Sequence, residues 1–101
     1  MQKRWGTEHL LTKNEQYSIK FMKLRAGKHH HLKYHYQKTE TLVMVSGTGY
    51  ILADGKFYGV KAGDVITILP KEIHKLWCIK ELCVVEINCP PIDDGVCLEK
   101  D

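Results

Sequence analysis

Tyr50-Ile51-Leu52-Ala53-Asp54-Gly55-Lys56-Phe57-Tyr58 is the segment on which the fold turns. Two runs of β-forming residues flank an Asp-Gly pair, and a type I′ turn needs positive φ at both central positions, which these two residues tolerate. A β-hairpin is expected here. The same texture continues outward on both sides. Thr41 to Val45, Val65 to Leu69, Ile73 to Ile79 and Leu82 to Ile87 are nearly continuous in apolar residues, as in strands covered on both faces. Tyr17, Ile19 and Phe21 alternate with Ser18 and Lys20 before the phase slips at Met22 and Leu24, which predicts a bulge. Gly27, Gly47, Gly59 and Gly63 punctuate the chain, and Pro90-Pro91 ends the last clear strand ahead of an acidic tail over 90–101. Helical periodicity nowhere exceeds a turn or two and no repeat is present, so the expected class is an all-β sandwich or barrel.

With 101 residues, 44% of them apolar, the chain has room for one domain, 1–101, and for a core that needs no covalent staples. Apolar stretches such as Leu42-Val43-Met44-Val45 fall far short of the ~18 residues of a membrane span. Met1-Gln2-Lys3-Arg4-Trp5 lacks an apolar leader, so a cytoplasmic protein with no membrane contact is expected. Cys78, Cys83, Cys89 and Cys97 form no C-x-x-C pair and are expected as reduced thiols, Cys78 and Cys83 buried as small hydrophobes. The net charge of +3 is unevenly spread: Lys20, Lys23, Arg25, Lys28, Lys33 and Lys38 lie between Glu15 and Glu40 with no acid among them. Without a helix-turn-helix, RNP-type or zinc-finger pattern, this stretch reads as a solvated strand face or an attractor of a small anion, and no nucleic-acid partner is expected.

Four of the six histidines fall in that stretch. If Gly27 to His35 is a strand, period two places His29, His31, Lys33 and His35 on one face and His30, Leu32 and Tyr34 on the other. Glu40 follows five residues after His35, and His74 lies on a separate strand.

These spacings resemble a known family. Gly27, His35, Glu40 and Gly47 fit the first cupin motif, G-x5-H-x-H-x4-E-x6-G, except that Lys33 occupies its first histidine position. Gly63 and His74 fit the second motif, over 63–78. Within cupins the chain looks most like the cupin domain of type II mannose-6-phosphate isomerases, through Arg4-Trp5-Gly6, Leu10-Leu11, Leu32-Lys33-Tyr34-His35, Val45-Ser46-Gly47-Thr48, Val84-Val85-Glu86-Ile87 and Asp93-Asp94-Gly95-Val96. Lys33 stands where that group usually has Gln, Pro70 sits one place late, and no Tyr-Gly-Arg follows the acidic tail.

The resemblance implies a single small cupin, a double-stranded β-helix or jelly-roll barrel. It makes His35, Glu40 and His74 the ligand candidates for a divalent metal, Zn, Mn, Fe, Co or Ni, since two imidazoles and a carboxylate suit these ions and leave positions open. The structural alternative is that Glu40 simply pairs with Lys33. His29, His30 and His31 are expected at the surface or the barrel mouth, and Trp5, Trp77, Tyr34 and Tyr36 in the core or an interface. Leu32, Tyr34 and Tyr36 are candidates for the two-fold interface of a homodimer. The implied activity is aldose–ketose isomerisation of a sugar phosphate, with Glu40 or Lys33 as the base that moves a proton between C1 and C2 through an enediol. The alternatives are a non-catalytic cupin holding a small carbohydrate or anionic ligand and, more remotely, a metal-dependent dioxygenase; fold alone does not choose among them.

Overall fold

In a computed structural model that describes residues 1–99, the Asp54-Gly55 turn forms as expected, with φ of +52° and +72°. It joins β5 (Thr39–Ala53) to β6 (Lys56–Lys61), with Leu52 opposite Phe57. Lys100 and Asp101, the end of the expected acidic tail, lie outside the described residues.

Around this hairpin the described residues form only strands and turns. The remaining strands are β1 (Gln2–Lys3), β2 (Gly6–Lys13), β3 (Ser18–Leu24), β4 (Lys33–His35), β7 (Val65–Ile68), β8 (His74–Cys89) and β9 (Gly95–Cys97). All pairings are antiparallel, and the two long strands organise them. β5 and β8 pair from Thr39 opposite Cys89 to Ala53 opposite His74. β6 and β7 line the far edge of β5, while β3 and β4 pair with the two halves of β8. The β5–β8 register shifts repeatedly between Met44 and Gly49, where both strands bend and carry the sheet round into a barrel. Gly47 sits in that bend at φ +91°, and a Cβ there would overlap the Glu81 carbonyl; only glycine meets both demands. The barrel interior holds Met22, Leu24, Met44, Ile51, Ile68, Leu82 and Val84, each at most 1% exposed.

Several expectations change. Ile73–Ile79 and Leu82–Ile87 belong to one bent strand, because Lys80-Glu81 marks the bend and not a chain reversal. β3 carries no phase slip: Ser18, Met22 and Leu24 are buried in regular alternation, and the irregularity lies in β2 between Leu10 and Thr12. The apolar strands are covered by this chain on their inner face only, leaving Val45 and Val65 exposed, since a barrel one sheet thick has no second layer. Of the expected 27–35 strand only Lys33–His35 qualifies. Its upstream part makes three separated backbone bonds to Leu76 and Cys78, and the Leu32 N–H donates to the Glu99 carboxylate instead of to a neighbouring strand. The pleat loses phase there, so His30, not His29 or His31, is buried.

All four cysteines are free; Cys78 is buried, Cys83 only half-buried. The Cys78 thiol contacts the Leu24 and Lys80 carbonyls, and burial pushes its pKa up. No described helix is long and apolar enough to cross a membrane.

Candidate metal centre

β4, β5 and β8 each turn one polar side chain into the same end of the barrel. His35 comes from β4, Glu40 from the start of β5 at the inward parity of Leu42 and Met44, and His74 from the start of β8. All three are less than 5% exposed. One potential donor atom from each lies within 4.8 Å of the others. His35 Nε2 is 3.2 Å from Glu40 Oε2, and His74 Nε2 is 3.6 Å from Glu40 Oε1, while the two imidazoles stack with centroids 5.3 Å apart.

The atoms face one another without being satisfied. His35 Nε2, His74 Nε2 and Glu40 Oε2 are buried with no hydrogen-bond partner, a costly arrangement in a native interior. Nδ1 of His74 lies 2.9 Å from the Glu72 carbonyl, which fixes the proton on Nδ1 and leaves the Nε2 lone pair turned inward. Burial lowers the His74 pKa despite the attraction of Glu40, and so keeps the ring neutral. Two inward lone pairs and a carboxylate fit a divalent first-row ion. His35, Glu40 and His74 would hold it.

Charges beyond the three candidates tune the centre. Burial opposes ionisation of Glu40, but His35, the Lys33 ammonium and a hydrogen bond from Glu86 outweigh it and hold the carboxyl well below the usual range. Glu86 is 5% exposed, and burial together with the Glu40 charge pushes its pKa up to about 8; it is the protonated member of the pair. Lys38, expected on a solvated face, is 4% exposed, with Nζ 3.7 Å from Glu40 Oε2. Asp94 Oδ1 faces His35 Nδ1 at 3.4 Å, and its Oδ2 accepts from the Gln37 and Lys38 N–H groups at 2.6 and 3.3 Å. Gly95 leaves room for that ring, since a Cβ there would stand 3.0 Å from His35 Cε1.

Two of these residues had a readable signal: Glu86 continues the inward parity of Val84, and Lys38 lies two residues before Glu40. Asp94 enters only through the resemblance, in Asp93-Asp94-Gly95-Val96, and is assigned no role there, because its partner is 59 positions away in sequence and reached only through β9. His30, expected at the surface or the barrel mouth, is buried in the wall of the main cavity. Its ring lies 4.4 Å from Trp5, its Nε2 is buried without a partner, and burial with the nearby Lys33 charge lowers its pKa to about 3. His29 and His31 are half-buried.

The centre opens on a cavity of about 440 Å³ whose wall includes Trp5, His30, Lys33, His35, Lys38 and Glu86. Lys33 is half-buried and directly opposite His74 across the strands. It therefore shares the barrel face with His35, as the period-two reading of β4 requires.

Solved structures share this architecture at low identity. An uncharacterised conserved protein with a double-stranded β-helix domain from Klebsiella pneumoniae superposes with a TM-score of 0.85 at 16% identity, over 99% of this chain and 90% of its own. KdgF from a Halomonas species gives 0.82 at 13% identity, over 91% of this chain and 86% of its own. A cupin-2 domain protein from Rhodospirillum rubrum gives 0.86 at 17% identity, over 96% of this chain and 68% of its own. No curated protein matches the sequence. The family model described as "Mannose-6-phosphate isomerase C-terminal" matches residues 1–101. The barrel, its inward His-Glu-His set and this full-length match agree, and the chain belongs to the mannose-6-phosphate isomerase C-terminal family of cupin domains.

Proposed function

We propose that this cupin binds a divalent metal through His35, Glu40 and His74 and isomerises a sugar phosphate between aldose and ketose forms. The observation that carries the reading is the unsatisfied buried donor set opening into a lysine-walled cavity of about 440 Å³. A divalent ion bound there supplies Lewis-acid polarisation of substrate oxygens. Glu40 has its oxygens turned to the two imidazoles, so Lys33 on the cavity wall is the group that takes a proton from one sugar carbon and returns it to the next. Trp5 and Met22 close the apolar side of the cavity.

A second reading, a ligand-binding cupin without catalysis, is favoured by Lys38. Its ammonium lies 3.7 Å from Glu40 and compensates the carboxylate without a metal. In either case a homodimer through Leu32, Tyr34 and the exposed Tyr36 is part of the proposal. Elemental analysis, calorimetry with mannose 6-phosphate and fructose 6-phosphate, and deuterium exchange at C2 separate the readings. Bound metal with C2 exchange supports the isomerase; binding without exchange supports the binding module; binding of neither sugar phosphate, with or without added metal, removes both.

A further inference from the structure

Beside the main cavity lies a second chamber of about 220 Å³ at the end of the barrel where β2 turns into β3 and β8 ends. The two cavities share Lys20, Lys38 and Asp93 in their walls. Its charge and polarity are set by Lys13, Lys20 and Lys38 against the single exposed carboxylate of Asp93, with Ser18 and Asn88 at its inner end. Asn88 is 2% exposed, and its Oδ1 is buried without a partner. Its Nδ2 lies 3.4 Å from both Ser18 Oγ and Glu86 Oε2. The Ser18 oxygen accepts from that amide, which leaves its own proton to donate. A buried acceptor without a protein partner, next to a hydroxyl that can donate, below three ammonium groups, is a polar end suited to an anion that also carries hydroxyls.

Cross-strand register fixes where this chamber stands relative to the metal centre. Glu40 pairs with Asn88, and Asn88 with Ser18, so the inner end lies one to two strand spacings, about 5 to 10 Å, from Glu40. That is the reach of an extended six-carbon chain.

We infer that this side chamber is an anion subsite that holds the phosphate of the sugar substrate, with Lys13, Lys20 and Lys38 on the phosphate oxygens and Asn88 Oδ1 accepting from an adjacent sugar hydroxyl. The assignment rests on the sugar-phosphate reading of the main cavity and deepens it. It makes Lys20 and Lys13 specificity-determining residues that touch neither the reacting carbons nor the metal ligands. Lys20 now makes only a 3.8 Å ion pair with Glu8, and Lys13 has no ion pair among the described residues, so both are free to turn to a stronger anion.

The test is calorimetric titration of wild type, Lys20→Gln and Lys13→Gln with inorganic phosphate, mannose 6-phosphate and unphosphorylated mannose, alongside metal content. Lys13 is exposed, and Lys20, 23% exposed, has only a 3.8 Å ion pair to lose, so the variants should fold and load metal as wild type does. Phosphate and mannose 6-phosphate should each bind roughly tenfold more weakly to Lys20→Gln and several-fold more weakly to Lys13→Gln, with mannose unchanged. Phosphate binding that both variants weaken, with no binding of mannose 6-phosphate to any form, keeps the subsite and removes the sugar-phosphate reading. Mannose 6-phosphate affinity that neither variant alters removes the subsite and leaves that reading standing. Absence of phosphate binding to wild type overturns the subsite directly.

Discussion

Replacing Asp94 with Asn should weaken metal binding by 10- to 100-fold, although Asp94 is not a ligand. Its carboxylate offers two acceptor oxygens to two different sets of donors. Oδ2 takes the Gln37 and Lys38 amides, and Oδ1 stands 3.4 Å from His35 Nδ1. Burial raises the Asp94 pKa, but the two amide bonds and His35 outweigh it and hold the carboxyl below its ordinary value, so it is ionised at neutral pH, and Oδ1, buried without a hydrogen-bond partner of its own, is the acceptor turned toward His35 Nδ1. An amide side chain has one acceptor. If the amide introduced by Asp94→Asn gives its oxygen to the two backbone donors, its NH2 is turned to His35 Nδ1 and favours the imidazole tautomer protonated on Nε2, the atom that faces Glu40 and His74. Metal binding must then displace that proton or turn the ring. Loss of an outer partner of a ligating histidine typically costs 10- to 100-fold in affinity, about 1.4 to 2.8 kcal/mol. Competition titration of Co2+ or Zn2+ against a chromophoric chelator measures it, and Asp93→Asn, the same charge change one residue earlier, should leave metal affinity unaltered. Equal metal affinities for wild type and Asp94→Asn would refute the tautomer argument; equal losses in both variants would reduce the effect to net charge.

Two further outcomes are expected. Lys33→Gln should tighten metal binding at least tenfold in the same titration, because an ammonium about 6 Å from a dication is repelled by roughly 5 kcal/mol at an effective dielectric near 20, part of which relaxes as the side chain swings away; an unchanged constant would place Lys33 outside the field of the site. In metal-stripped protein, Glu86 raises its pKa from 4.5 to about 8 on folding, so its contribution is fully present below pH ~4.5 and is lost as pH rises through about 8. The unfolding free energy should therefore fall between pH 6 and pH 9 by about 2 to 3 kcal/mol, and Glu86→Gln should flatten that slope; parallel slopes would contradict the buried protonated carboxyl.

What the sequence makes legible follows from how local each determinant is. The Asp54-Gly55 hairpin depends on two adjacent residues and their φ angles, and it forms as read. Extended structure in β8 is equally local, but its continuity through Lys80-Glu81 is not: charged residues at a sheet bend and at a loop look alike until the partner strand is known. The histidine run fails for a different reason. Period two holds only while the backbone keeps its pleat, and the Leu32 N–H leaves the ladder for Glu99, 67 positions on. The regular pairing resumes only at Lys33, and upstream of it His30 is buried.

The metal candidates are read from cupin spacing; Glu40 and His74 also occupy strand positions whose inward direction the apolar Leu42, Met44 and Leu76 announce, whereas His35, beside Lys33, has no such neighbour. The same rule applies more widely than ligand spacing does. Along β3 the inward series is Ser18, Lys20, Met22, Leu24, and along β8 it is Leu82, Val84, Glu86, Asn88. Both turn from apolar to polar toward the same end, and cross-strand register sets Ser18 beside Asn88 and Lys20 beside Glu86. A polar residue in such a series costs stability unless it is partnered, so two adjacent strands that become polar at matched positions mark the end of the barrel that is built for a ligand. That argument places the candidate metal centre and the lysine-lined chamber at one end of the fold, with the apolar core closing the other.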